Sequence, residues 1–244
     1  MPSSLAAGAD AALSGLIAER CARQVDSVEA RFVAKKDFYY AWALQGRSAT
    51  VQISDYLQGA PDVVLADFGE MVVRRALELD WEVPASFTDF VRTDGFVETR
   101  RPVFIRRSKN LLRTDAGEFR SIPDSVGRLM DAGLVLPSDV ANSWFSWTRR
   151  YNHSRLGFCG TMFRVVGISS ILDSPTVPDP VVDYVVYHEC LHLRQGYRPD
   201  GRVHDAEMRA WEREFPGWRE CEAELRKLGT MCRRRRQVYL PSGR

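Results

Sequence analysis

Apolar residues recur at helical spacing near the start of the chain, where Leu13, Ile17 and Cys21 alternate with polar and charged residues. This spacing places apolar side chains on one face of a helix. The sequence therefore predicts a helical segment over residues 4–35. Its first part lacks the basic start of an export signal and carries Asp10 among apolar residues, so we expect a helix there instead.

The pattern then changes to one that is typical of strands. Residues 38–44 and 49–53 are β-prone runs separated by a connection that contains Gly46, which predicts a hairpin. Pro61 and Asp62 favour the start of a helix, because proline is tolerated in the first helical turn. The apolar face expected for that helix consists of Val64, Leu65, Phe68, Met71, Val72 and Leu77.

The second half of the chain has a less regular pattern until its last third. We expect helices around residues 85–95 and 123–132, and strands over residues 144–148 and 162–169, which are aromatic or β-branched and bounded by turn residues. Three prolines at 175, 178 and 180 then indicate an extended connector. Helical spacing returns beyond them and continues to about residue 228.

Composition places the chain among ordinary globular proteins. It has 244 residues, of which 45% are hydrophobic and 27% charged, with a net charge of +2, which argues against disordered, collagen-like and coiled-coil chains. No stretch approaches the roughly 20 apolar residues that cross a bilayer, so we expect no membrane association. The five cysteines include no C-x-x-C pair, which argues against a disulfide framework and a cysteine zinc ribbon. A cytoplasmic protein is the expected class.

The chain has only four histidines, and two of them form an H-E-x-x-H motif at His188, Glu189 and His192. On a helix, residues four apart lie on one face about a turn apart, so both imidazoles can bind one ion. Zinc prefers such nitrogen ligands. Glu189 is placed to reach a metal-bound water without binding the metal. Gly196 is well placed to end the helix.

A catalytic zinc commonly takes three protein ligands and keeps one position open for water. His204, twelve residues after His192, is the favoured third ligand. The acidic alternatives are Asp205, Glu207 and Glu212. The pattern H-E-x-x-H-x-x-G-x-x-H is excluded, because Gln195 and Arg198 stand where its glycine and third histidine would be. The fourth histidine, His153, lies in a predicted loop.

Residues 181–193 resemble the SprT-like zinc metallopeptidases, a family that includes a bacterial and archaeal branch once known only as a domain of unknown function. Similar segments elsewhere are 52–57, 60–61, 155–159, 168–172, His204 and 215–218. The resemblance implies an α+β, zincin-like fold in which a small antiparallel sheet packs on the H-E-x-x-H helix. It implies a metallopeptidase domain over residues 36–228, preceded by a helical extension over 1–35 and followed by a basic tail over 229–244.

The motif and the resemblance together predict a zinc-dependent metallopeptidase that acts on proteins or peptides. His188, His192 and His204 would hold the zinc, which lowers the pKa of its water toward about 7. Glu189 would act as the general base. A strand over residues 143–150 would pair with an extended substrate by edge addition. The sequence singles out no oxyanion-stabilising residue among Tyr187, Tyr197 and Arg202.

Local basic clusters support a second hypothesis, a nucleic-acid-associated zinc protein that is either a DNA-dependent protease or a non-catalytic binding module. Residues 100–113 include six positive and no acidic residues, and four arginines occupy 233–236. Arg149 and Arg150 lie beside three aromatic residues, Trp144, Trp147 and Tyr151. Basic grooves with aromatic residues bind single strands. A solvated charged face beside core aromatics is the other interpretation, and the near-neutral total charge favours it.

Overall fold

The described residues of the chain form two sheets of three strands together with helices, which is an α+β arrangement. The computed structural model describes residues 4–150, 155–199, 201 and 203–238. The chain divides into two compact units, Met1–Arg107 and Ser108–Arg244, each with one of the sheets. The predicted domain boundaries after residues 35 and 228 stay predictions.

Among its described residues, the first unit has four α-helices and a sheet with strand order β1-β3-β2. Its elements are α1 (Ser4–Arg20), β1 (Ser27–Val33), β2 (Tyr40–Gln45), β3 (Ser48–Ser54), α2 (Asp62–Ala76), α3 (Ala85–Val91) and α4 (Asp94–Arg107). β1 runs parallel to β3, and β2 runs antiparallel to it. The predicted hairpin is therefore confirmed, with Gly46 at positive φ in its turn. The helix predicted after Pro61 is confirmed as α2, which buries Val64, Phe68 and Val72.

The prediction of a helix over residues 4–35 is correct for residues 4–20, which form α1. It is wrong for residues 27–33, which form the strand β1. Within β1 the exposure alternates: Ala30 is buried, whereas Glu29 and Arg31 are exposed. This period of two is that of a strand with one buried face. β1 pairs with β3 over its full length, and this long-range pairing is invisible to local helical spacing.

In the described part of the second unit there are five α-helices and a sheet with strand order β4-β6-β5. Its elements are α5 (Ile122–Asp131), α6 (Pro137–Val140), β4 (Trp144–Trp147), β5 (Gly157–Gly160), β6 (Val165–Ile168), α7 (Asp179–Gln195), α8 (Ala206–Glu212) and α9 (Trp218–Val238). α9 continues past the predicted helix end near residue 228, so the predicted basic tail begins within a helix; residues 239–244 lie outside the described part of the chain.

The resemblance implies an antiparallel sheet, but each sheet of the structure is mixed. One of its two strand pairs is antiparallel and the other is parallel. In the second unit, β6 pairs antiparallel with β5 but parallel with β4. The reason is topological, because the chain passes from β4 to the far edge as β5 and then returns as the central strand β6.

α7 carries the H-E-x-x-H motif and packs against β5, β6 and the other helices of its unit. It begins after Pro178, as the connector predicts, and ends at Gly196, whose φ of +73° confirms the predicted helix end. Its valines 181, 182, 185 and 186 are buried. Packing therefore holds β-branched residues in a helix that their intrinsic preference supports only weakly.

Asp173 and Arg120 fix the chain where it enters α7. The carboxylate of Asp173 accepts hydrogen bonds from the backbone N–H groups of Glu118, Phe119 and Arg120, at 2.6, 2.9 and 3.0 Å. The Arg120 side chain in turn donates to the Asp179 carboxylate at 2.9 Å. These contacts join the first turn of α7 to the loop that precedes α5. The start of the motif helix is therefore fixed by polar contacts as well as by its apolar face.

Candidate metal centre

Three histidines from two segments of the second unit converge. His188 and His192 lie one turn apart on α7, and His204 lies in the chain just before α8. One ring nitrogen of each histidine lies within 4.8 Å of the corresponding atoms of the other two. The ring centroids are 4.9 to 5.3 Å apart. The three histidines named by the sequence are therefore close enough to bind one metal ion.

The distance between two of these rings suits a tetrahedral ion. Two nitrogen ligands 2.0–2.1 Å from a tetrahedral zinc lie about 3.3–3.4 Å apart. The Nε2 atoms of His188 and His204 are 3.3 Å apart. Neither ring therefore needs to move far from its present place to share an ion.

Electrostatics favour neutral imidazoles at two of the three positions. Burial, together with the positive charges of His188 and His204, lowers the pKa of His192 to about 4. Burial and the neighbouring His188 also lower the pKa of His204. At His188 burial lowers the pKa, but the hydrogen bond with Glu212 and the charge of Glu189 outweigh it, so the pKa is raised. Neutral rings offer the lone pair that a metal needs.

Glu212, one of the alternative third ligands, contacts His188 instead of joining the histidine cluster. Its Oε1 lies 2.7 Å from Nδ1 of His188. With Nδ1 engaged in this contact, the other ring nitrogen, Nε2, is the one that lies 3.3 Å from Nε2 of His204. Carboxylates commonly orient metal-binding histidines in this way. The same hydrogen bond lowers the pKa of Glu212. Glu212 is thus placed to orient His188 and to strengthen it as a donor.

The other two acidic alternatives also lie outside the histidine cluster. Asp205 caps α8, where its Oδ1 accepts from the N–H of Met208 at 2.9 Å and its Oδ2 contacts Arg198. Glu207 is exposed on α8. Among the described residues, the three histidines alone form a group with metal-binding spacing.

Glu189 has a buried carboxylate beside this cluster. The residue is 4% exposed, and its Oε2 has no hydrogen-bond partner among the described residues. Burial raises the pKa of Glu189 to about 7, against the opposing charges of His188 and Arg155. An unpaired buried carboxylate oxygen is costly, and such atoms call for an explanation by function or by an absent partner.

Gly157, at the start of β5, lies against this carboxylate. A Cβ atom added at Gly157 would lie 2.4 Å from Oε1 of Glu189 and 2.8 Å from its Cγ. Only glycine therefore leaves room for Glu189 in its present position. The sequence prediction missed this residue, although a glycine inside a short β-prone run can mark a close backbone approach.

Of the three candidate oxyanion-stabilising residues, Tyr187, Tyr197 and Arg202, only Tyr197 stays a candidate within the described residues. The Tyr187 side chain is fully buried, and its hydroxyl donates to the backbone carbonyl of Trp211 at 2.7 Å, so it supports α8 and does not serve the cluster. Tyr197 is half-buried in the loop after α7. Arg202 and His153 lie outside the described residues.

The described residues of the nucleic-acid hypothesis belong to both units, and several of them are engaged within their own unit. Arg107 makes a two-point ion pair with Asp55, and Arg100 donates to the carbonyl of Gln58. Trp147 is 1% exposed and its Nε1 donates to the carbonyl of Asp115, so it is not accessible for base stacking. Nucleic-acid binding stays a prediction, without Trp147 as a stacking residue.

No protein-family profile, curated protein or solved structure matches this chain. Within the described part of the chain, no helix has both the length and the apolar character needed to cross a membrane.

Proposed function

We propose that this chain is a zinc-dependent metallopeptidase, with His188, His192 and His204 as the metal ligands and Glu189 as the general base. The observation that carries the proposal is the convergence of three histidines beside a buried carboxylate with an unpaired oxygen. Three histidines with an open fourth position are a typical catalytic zinc set. The likeness of residues 181–193 to SprT-like metallopeptidases, and the zincin-like fold that it implies, support the same assignment.

Bound zinc would supply Lewis acidity and a water whose pKa is lowered to about 7. Glu189 Oε2 accepts the proton of the attacking water and passes it to the leaving amine. The backbone of Gly157 lies close against the Glu189 carboxylate and limits its movement. Glu212 holds His188 in place throughout, because it bonds to the nitrogen that does not face the cluster.

The strand predicted to pair with the substrate, residues 143–150, already has part of its outer edge engaged. There, Trp147 of β4 exchanges hydrogen bonds with the backbone of Leu112 and Thr114, each at 2.9 Å. β5 is the other outer strand of this sheet, and its Gly157 meets Glu189. An extended peptide paired along β5 would bring a backbone carbonyl next to the proposed base.

Replacing Glu212 by Ala should weaken zinc binding by about 10- to 100-fold, because a carboxylate that orients a ligand histidine contributes at that level. The measurement is the zinc dissociation constant, obtained by competition with a chromophoric chelator. Glu207→Ala, on the exposed side of the same helix, is the matched control and should bind zinc like the wild type. Equal affinity in both variants would show that Glu212 does not support the metal site.

Hydrolysis of an unfolded protein such as casein tests the function itself. The zinc-loaded chain should cleave it, and the Glu189→Gln chain should not. Intact casein after long incubation with the zinc-loaded wild type would contradict the proposal.

A further inference from the structure

The two faces of β5 have different neighbours. On one face Gly157 approaches the Glu189 carboxylate, and Cys159 packs against the apolar cluster that contains the valines of α7. Successive residues of a strand point to opposite faces, so Phe158 points to the other face. There its ring covers Gly167 of β6, where an added Cβ would lie 2.6 Å from Cζ of the ring.

Arg155, two residues before Gly157, has neighbours on both faces of this strand. Cζ of its guanidinium lies 5.3 Å from the centroid of the Phe158 ring. Its positive charge also opposes the rise in the pKa of Glu189 and helps to lower the pKa of His192. Because these neighbours lie on opposite faces of β5, the guanidinium lies at the margin of the sheet between them.

The accessible charge around the histidine cluster is positive. Among the described residues, the charges other than the histidines that shift the pKa values of this site are those of Glu189, Glu212, Arg155 and Arg209. Glu189 is buried, and Glu212 is bound to His188. Arg155 and Arg209 are exposed. A substrate group that comes near the cluster therefore meets positive side chains.

Arg155 also stands next to the edge on which the substrate is proposed to pair. The N–H of Ser169 donates to the carbonyl of Leu156 at 2.8 Å, so the pairing of β5 with β6 continues to the residue after Arg155. β5 is an outer strand of the sheet. Strand residues are about 3.3 Å apart. When the scissile carbonyl lies beside Gly157, a substrate residue one or two positions away therefore lies beside Arg155.

We propose that Arg155 binds a carboxylate of the substrate, so that the chain prefers peptides with a negative charge within two residues of the scissile bond. This inference rests on the proposed peptidase function. Arginine suits the role because its planar guanidinium forms two parallel hydrogen bonds with a carboxylate. The Phe158 ring supports the guanidinium by a cation–π contact. Arg155 is then a specificity residue that takes no part in proton transfer.

Binding of peptides to the zinc-loaded Glu189→Gln chain tests the proposal without hydrolysis. Three fluorescent alanine hexapeptides, blocked at both ends, carry one central Glu, Gln or Lys. We expect the Glu peptide to bind about fivefold more tightly than the Gln peptide, as for an exposed ion pair, and the Lys peptide to bind most weakly. A fourth peptide ends in a free carboxylate directly after its Gln, which distinguishes a terminal carboxylate from a side-chain one. No advantage for either carboxylate peptide would overturn the proposal.

Variants of Arg155, made in the same Glu189→Gln chain, identify the source of this preference. Arg155→Gln should bind the Glu and Gln peptides equally, and Arg155→Lys should keep part of the preference. Arg155→Glu should prefer the Lys peptide, because opposite charges then meet again. Arg23→Glu, which changes an exposed arginine of the first unit, is the matched control and should keep the original order. An unchanged preference for carboxylate peptides in Arg155→Glu, with normal zinc content and circular dichroism, would contradict the proposal.

Cleavage of the same peptides by the zinc-loaded wild type separates this proposal from the proposed function. We expect kcat/KM to be about fivefold higher for the Glu peptide than for the Gln peptide. Equal cleavage of all the peptides would support the peptidase function and refute the carboxylate site. Binding of a carboxylate peptide that depends on Arg155, without any cleavage, would instead support the carboxylate site and contradict the peptidase function.

Discussion

Replacing Glu189 by Gln should reduce peptide hydrolysis by about 10³-fold while leaving the bound zinc unchanged, since general bases typically contribute 10²- to 10⁴-fold. Gln has the size of Glu but offers no basic oxygen for the proton of the attacking water. The histidines are untouched by this change, and Oε2 of Glu189 has no described partner whose loss would disturb the fold. The measurement is kcat/KM of the zinc-loaded proteins, with zinc content determined on the same samples.

Glu207→Gln is the matched control, because the same change is made on an exposed residue of α8. It should keep wild-type activity. Full activity in Glu189→Gln would exclude the proposed base. Loss of zinc from Glu189→Gln would instead show that the carboxylate is a ligand, and the roles of Glu189 and His204 would then have to be reassigned.

Gly157→Ala is expected to reduce hydrolysis by about 10²-fold, which is the typical cost of displacing a reacting group by about 1 Å. The added methyl group would lie 2.4 Å from Oε1 and 2.9 Å from Cδ of Glu189, so either the carboxylate or β5 has to move. Zinc binding should be retained, because the contact involves none of the three histidines. The measurement is again kcat/KM at full zinc occupancy.

Gly127→Ala provides the control for this substitution. Gly127 lies in α5, where an added Cβ meets no atom within 4 Å, and alanine favours a helix interior over glycine. We expect this variant to be fully active and slightly more stable. If Gly157→Ala were just as active, the position of the Glu189 carboxylate would not matter for catalysis.

The features of the centre that depend on local geometry were predictable from the sequence. His188 and His192 face the same way because four residues make about one helical turn, and Gly196 ends that helix because it adopts positive φ. His204 was expected from the scarcity of histidine and from the three-ligand rule for catalytic zinc. The structure places its ring beside the other two.

The features that depend on contacts between distant segments were not predictable. The place of Glu212 beside His188 depends on the orientation of α8, and the contact of Gly157 with Glu189 depends on β5 packing against α7. The parallel pairing of β4 with β6 similarly depends on the path of the chain between them. Periodicity describes which face of an element is buried but not which element covers it.

The three-histidine centre is tested most directly by the metal content of the purified full-length protein after dialysis against metal-free buffer. We expect about one zinc per wild-type chain, as for a three-histidine site. His204→Ala should lose its zinc under the same dialysis, whereas Glu207→Ala should keep it. Because His204 is exposed, its replacement should leave the fold intact, which circular dichroism checks. A folded His204→Ala protein that keeps one zinc per chain would contradict the proposed centre.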